Sequence, residues 1–258
     1  MKYLLYLEML KCRNCGAESA GKYCVKCGQE TEPKRLAVRT ILNDVTHGII
    51  HWENSILKTF KNLVFSPGKT ASGYINGARK SFVKPFTYFI FIQTVYVIVF
   101  HWMSGKFFAF LNLAMNNPQN IQEAASRFQQ IINTYVNYLN YFMPLVFAFY
   151  LWLFLRKKTG YNYAEFIAAA LYWIGTTLVF GIILMLLAYI DIRIWNVRFF
   201  VNLIYLMFAF SQFSGSPNFS SLLKGFFAVA LSYITFSLLV TGLVALYFLF
   251  TSGRVSFS

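Results

Sequence analysis

Long apolar runs separated by short polar breaks dominate the chain after residue 85. Phe86–Met103 contains one strongly polar residue, Gln93. Tyr138–Leu155 contains Asn140 and Pro144 and ends at Arg156-Lys157-Lys158. Phe166–Ile190 and Phe226–Phe250 carry no charge, and Phe199–Phe213 is shorter, with Asn202 and Gln212 inside it. About twenty apolar residues carry a helix across a bilayer. The pattern predicts an all-α polytopic membrane protein with about five transmembrane helices. Four of the segments are long enough to cross, and 199–213 is short enough to be re-entrant instead.

Residues 33–84 have a different periodicity. Val38, Leu42, Val45, Ile49, Trp52 and Ile56 recur at spacings of three and four, opposite Arg39, Asn43, Asp44, His47, Glu53 and Lys58. This predicts an amphipathic helix that lies on the membrane, packs on the membrane body or pairs with a partner helix. Ser66-Pro67 reads as a helix start, with Ser66 as N-cap and Pro67 at the first helical position, and Gly77 as the cap at its end. His47 and His51 share one helical face, yet no third ligand stands near them in sequence, so they are expected as amphipathic residues near headgroups. Between the first two apolar segments, Asn117-Pro118 starts a helix whose apolar positions Ile121, Ala125, Phe128, Ile132, Tyr135 and Leu139 run into the second segment.

Residues 1–32 show neither pattern, and there the cysteines decide the reading. All four cysteines of the protein lie in Cys12-Arg13-Asn14-Cys15-Gly16 and Cys24-Val25-Lys26-Cys27-Gly28. Each half is C-x-x-C-G, a turn that aims two thiolates at one ion, with a glycine free to take positive φ. Two halves supply the closed tetrahedral set of structural zinc, so Cys12, Cys15, Cys24 and Cys27 are the expected ligands of one zinc in a small N-terminal zinc ribbon. Two disulfides would need an oxidising compartment, and a redox C-x-x-C would sit in a βαβ pattern that is absent here. The closed set leaves no position for a substrate. Met9, three residues before Cys12, is a plausible alternative start.

Charge supplies the orientation. Of 258 residues only 12% are charged, well below the roughly one quarter of a soluble domain. Residues 1–84 hold 14 Lys and Arg against 6 Asp and Glu. Lys69, Arg79, Lys80 and Lys84 crowd the start of the first apolar segment, and Arg156, Lys157 and Lys158 follow two crossings later. Both clusters predict the cytoplasmic side, with the N-terminus inside a bacterial inner membrane and the 104–137 loop outside. The same residues form a surface toward the lipid bilayer and its anionic headgroups. A cytoplasmic N-terminus is also reducing, which favours zinc over disulfides.

The segments Cys12-x-x-Cys15-Gly16, Cys24-x-x-Cys27-Gly28-Gln29, Thr59-Phe60-Lys61-Asn62-Leu63, Pro67-Gly68-Lys69, Tyr74-Ile75-Asn76-Gly77-Ala78-Arg79-Lys80 and Lys84-Pro85-Phe86-Thr87-Tyr88 occur in this order. In them the chain resembles a bacterial membrane-protein family catalogued as domain of unknown function three-six-six-seven. The resemblance covers about the first ninety residues. It implies a zinc ribbon joined to several spans, and it carries over no substrate and no catalytic residue.

The apolar segments hold no Lys, Arg, Asp or Glu near a centre, and no G-x-S-x-G, H-E-x-x-H or P-loop motif occurs. An enzyme is therefore not the expected class. Two functions remain. The first is a membrane-anchored adaptor whose ribbon holds a cytoplasmic protein partner; nucleic acid is not the expected partner. The second is a transporter, channel or lipid-handling protein regulated by the ribbon.

Overall fold

The computed structural model describes residues 10–43, 53–114 and 139–255, apart from 189, 192 and 217. The His47–His51 pair, most of the helix expected from Asn117 onward, and the middle of the amphipathic stretch lie outside the described residues, as does the alternative start at Met9.

Two short strands, β1 (Leu10–Lys11) and β2 (Glu18–Ser19), pair antiparallel, with Lys11 opposite Glu18. The rest of the described chain is helical: α1 (Val38–Asn43), α2 (Glu53–Phe65), α3 (Pro67–Ile75), α4 (Pro85–Ala114), α5 (Met143–Thr159), α6 (Tyr163–Leu187), α7 (Ile194–Phe213) and α8 (Phe219–Val255). Prolines and glycines set the boundaries. Pro67 and Pro85 open α3 and α4, where a missing N–H costs nothing. Gly160, at φ 68°, closes α5 by donating its N–H to the Arg156 carbonyl.

Among the described residues, four helices are long and apolar enough to cross a membrane: Pro85–Met103 within α4, then α6, α7, and Phe219–Tyr247 within α8. The expected weak and strong segments change places. The 199–213 segment extends back to Ile194 and gives α7 20 residues. The 138–155 segment breaks at Pro144, which has no N–H for the Asn140 carbonyl, so Asn140–Phe142 is a 3-10 turn and α5 has only 17 residues. Its last turn is Arg156, Lys157 and Lys158, so the apolar part is shorter still.

Helix α6 is the centre of the bundle. It packs along α4, α5 and α7, and 61% of its apolar window is buried, against 33% or less for the other three candidates. Trp173 is fully buried, with its ring 5.3 Å from that of Phe213 and 6.2 Å from that of Phe147. By contrast, Ile98, Trp102, Phe200, Ile204 and Leu238 are each more than 60% exposed, and such outward apolar faces suit lipid.

Helices α2 and α3 are stitched into this bundle. Trp173 Nε1 donates to the Pro67 carbonyl and Tyr205 donates to the Leu63 carbonyl, while Tyr172 donates to the Val83 carbonyl in the segment that leads into α4. The Gly68 N–H donates to Gln212 Oε1 at 3.2 Å. A Cβ on Gly68 would lie 2.3 Å from the Phe213 nitrogen, so only glycine allows α3 this close to α7. Leu36, just before α1, and Ile41 within it are buried, while Val38, expected on the apolar face, is 47% exposed. The helix begins only at Val38; Leu36 precedes it, and its carbonyl accepts a hydrogen bond from Asn162 Nδ2.

Candidate metal centre and its seat

The two cysteine turns have the same backbone hydrogen bonds. Gly16 N–H donates to the Cys12 carbonyl and Cys12 N–H to the Ala17 carbonyl; Gly28 N–H donates to Cys24 and Cys24 N–H to Gln29 in the same way. Gly16 and Gly28 have φ of 74° and 68°, the left-handed conformation the C-x-x-C-G spacing calls for. The β1–β2 pair brackets the first turn and a Tyr23–Glu30 bridge brackets the second.

These turns bring all four sulfurs within 4.8 Å of one another. Cys12 and Cys27 Sγ are 3.6 Å apart, and Cys15 and Cys24 Sγ are 3.5 Å apart. No pair is at disulfide distance, and all four cysteines are free. A tetrahedron with metal–sulfur bonds of about 2.3 Å has edges of about 3.8 Å, so the thiol set fits one metal ion without rearrangement of its turns.

The thiols share protons unequally. Backbone N–H groups of Cys15 and then Asn14, with the neighbouring thiols Cys27 and Cys24, bring Cys12 down to about 6 against the effect of burial. Cys24 is lowered chiefly by the Cys27 N–H. Cys15 accepts from Ala17, which lowers it, but burial and donation to the other three thiols together push it up to about 11. The turn amides thus already favour thiolate at Cys12 and Cys24, the form a metal needs.

Both cysteine turns meet the helical body through residues 76–81, the first at Arg13 and Asn14 and the second at Gln29. Ser81 N–H donates to Asn14 Oδ1 at 3.0 Å, and Lys80 N–H donates to Gln29 Oε1 at 2.9 Å. Arg13 reaches the Asn76 carbonyl, and Arg79 Nη2 donates to the Lys34 carbonyl at 2.6 Å. Gly77, at φ 117°, lies where a Cβ would come within 2.7 Å of Pro33 and 2.9 Å of Arg13. The tract Tyr74 to Lys80, noticed in the sequence as a string of residues, is thus the surface on which the cysteine module rests.

The basic residues fall into two kinds. Lys69, Lys80, Arg156, Lys157 and Lys158 are exposed; Arg79 and Lys84 are partly buried. Arg156 lies over the Trp152 ring at 4.2 Å, and Lys158 donates to the Ser216 hydroxyl. Tyr161 donates to Asn76 Oδ1 at 3.3 Å, which ties the α5–α6 turn to the seat.

Two features escaped the sequence reading. Asn162 and Glu165 form a capping box at the start of α6, and Glu165 also pairs with Arg35. The signal was present as N-x-x-E ahead of an apolar run. Arg198, one residue before the segment drawn at 199–213, lies inside α7 and lines a cavity with Gln93 and Asn202.

Fold and site define a helical membrane protein with a four-cysteine module able to hold a metal ion. Residues 53–97 match the sequence model of a family described as "Protein of unknown function (DUF3667)". That match contains α2, α3, the seat and the first half of α4. No curated protein and no solved structure matches the chain.

Proposed function

We propose that the protein is an adaptor of the bacterial inner membrane, with a structural zinc in its ribbon and its N-terminus in the cytoplasm. The ribbon would hold a cytoplasmic protein partner, and α5 would complete a five-helix body. The observation that carries the adaptor role is the exposed tip of the second turn. The first turn rests on the seat at 76–81 and Gln29 ties the foot of the second to it, while Val25 is 90% exposed and Tyr23 58% exposed between Lys22 and Lys26. An apolar tip flanked by lysines suits an acidic partner with an apolar anchor. All-sulfur donors at this spacing favour zinc, and the basic residues gathered with the ribbon favour a cytoplasmic face.

The test is capture of partners by the full-length protein from detergent extract. A stoichiometric acidic protein retained by the native chain and lost with Val25→Glu, while zinc content is unchanged, supports the adaptor. Identical captured proteins with Val25→Glu would overturn it.

A further inference from the structure

A cavity of about 300 Å³ lies among α4, α6, α7, α8 and the start of α5. It meets α6 at Ile174, Thr177 and Leu178, more than two turns beyond Glu165, where the linker after the cysteine module attaches. Ile174 and Leu178 make that side mostly apolar. Facing them are Gln93 of α4, Ser237 of α8, and Arg198 and Asn202 of α7.

Arg198 is held in place there by aromatic rings. Its Nη1 donates to the Tyr96 hydroxyl at 2.8 Å, and its guanidinium lies 4.8 Å from the Trp195 ring and 5.2 Å from the Tyr96 ring. Gly181 makes room for it: a Cβ there would come 3.3 Å from Arg198 Nε. Among the described residues Arg198 forms no ion pair. Asn202, one turn further along the same face, is 7% exposed; the buried Tyr233 hydroxyl interacts with its amide, while its Oδ1 is left without a hydrogen-bond donor. Buried acceptors are almost always paired, because leaving one unmade forfeits its hydration. One face therefore presents a fixed cation lacking an anion and an acceptor lacking a donor.

We propose that this cavity binds a phosphate ester that carries a hydroxyl or ammonium group a few bonds from its phosphorus. The phosphate oxygens would meet Arg198, whose planar fork suits them, and the donor would satisfy Asn202 Oδ1. Arg198 sits about one turn inside the start of α7, a depth at which phospholipid headgroups lie, and the apolar wall continues toward the acyl region. A phospholipid headgroup and a free glycerol phosphate share this chemistry. The proposal is independent of the adaptor reading.

Native mass spectrometry of the full-length protein in detergent tests it, with dihexanoyl phosphatidylglycerol, dihexanoyl phosphatidylcholine and glycerol 3-phosphate as probes. One phosphatidylglycerol per chain is expected, with phosphatidylcholine, which lacks a donor, about tenfold weaker. Preference for phosphatidylglycerol over glycerol 3-phosphate assigns the site to lipid; comparable affinity assigns it to a soluble phosphate ester. Arg198→Gln and Asn202→Leu should each weaken binding about tenfold. Ligand-free melting temperatures near the native value in both variants separate a loss of affinity from misfolding. Equal binding of both lipids, no binding of any probe, or undiminished binding by Arg198→Gln would overturn the proposal.

Discussion

Arg35 and Glu165 meet across 130 residues of sequence, with Nε 3.1 Å from Oε1 and Nη2 2.7 Å from Oε2. The pair joins the ribbon linker to the first turn of the central helix. Its two ends differ: the Arg35 side chain is 65% exposed and that of Glu165 only 3%. Glu165 also accepts the Asn162 N–H in the capping box, and a carboxylate at a helix N-terminus interacts well with the helix dipole. Glu165 is thus a helix cap that doubles as an anchor for the cysteine module.

Removing the two partners should therefore have unequal consequences. Arg35→Ala leaves a buried carboxylate without its counter-charge, the costly way to break such a pair. Glu165→Gln removes the charge and keeps an acceptor for the Asn162 N–H. Arg35→Ala is expected to lower the melting temperature more than Glu165→Gln and to speed tryptic cleavage after Lys34. Equal effects would show that Arg35 does not carry the charge of Glu165.

Two glycines in α3 give a matched pair of substitutions. Gly68 faces the α7 backbone, where a Cβ would lie 2.3 Å from the Phe213 nitrogen, 2.5 Å from Gln212 Cβ and 2.7 Å from the Gln212 carbonyl carbon. Gly73 has nothing within 4 Å of its Cβ position. Gly68→Ala must push α3 away from α7 and should destabilise by about 1–3 kcal/mol, the usual range for overpacking. Gly73→Ala gains helix propensity and should stabilise by up to about 1 kcal/mol. Thermal unfolding in detergent reads both signs.

That contrast shows what could be read in advance. The cysteine turns are local: two C-x-x-C-G motifs specify their own hydrogen bonds and their own left-handed glycines, so the four-cysteine cluster was legible residue by residue. The helices were legible as apolar runs, because lipid-facing and core-facing positions are both hydrophobic. Their lengths were less so. Proline at position 144 shortens α5, and hydropathy alone starts α7 too late because Asn196 and Arg198 interrupt the run. What was not legible is how distant segments meet. Nothing local marks Gly68 as the point of contact with Gln212, or Thr59 Oγ1 as the acceptor of the Val83 N–H at 3.0 Å. Such contacts depend on which helices are neighbours, and helix periodicity does not encode that.

The metal site should respond to acid in two stages. A metal ion competes with protons for the thiolates. In the metal-free ribbon Cys15 keeps its proton up to about 11, whereas Cys12 is ionised above about 6. Between these values binding must displace the Cys15 proton, so affinity rises with pH. As pH falls through about 6, Cys12 takes up a proton too, and affinity drops more steeply. A chelating dye that follows metal release against pH should show that added slope, and Cys24→Ser should abolish stoichiometric metal while membrane insertion persists. Undiminished metal content in Cys24→Ser would remove Cys24 from the ligand set.

The orientation of the chain is the remaining prediction, and the structure sharpens its design. Each basic residue beside an anionic leaflet contributes about 1 kcal/mol. Arg79 is a poor choice for neutralisation, since its guanidinium holds the Lys34 carbonyl and its loss would loosen the ribbon as well as remove a charge. Lys69, Lys80, Arg156, Lys157 and Lys158 are exposed, and Lys84 is partly so. Neutralising those six with glutamine leaves Arg79 in place and should send part of the population into the membrane inverted, as read by a fusion reporter at the N-terminus. The other force that can fix orientation is the ribbon, because a folded module resists translocation. Repeating the six-fold substitution on the Cys24→Ser background separates the two. If inversion appears only there, the folded ribbon holds the N-terminus on its side and the charges are secondary. If inversion appears in the six-fold variant alone and does not grow, the basic residues decide.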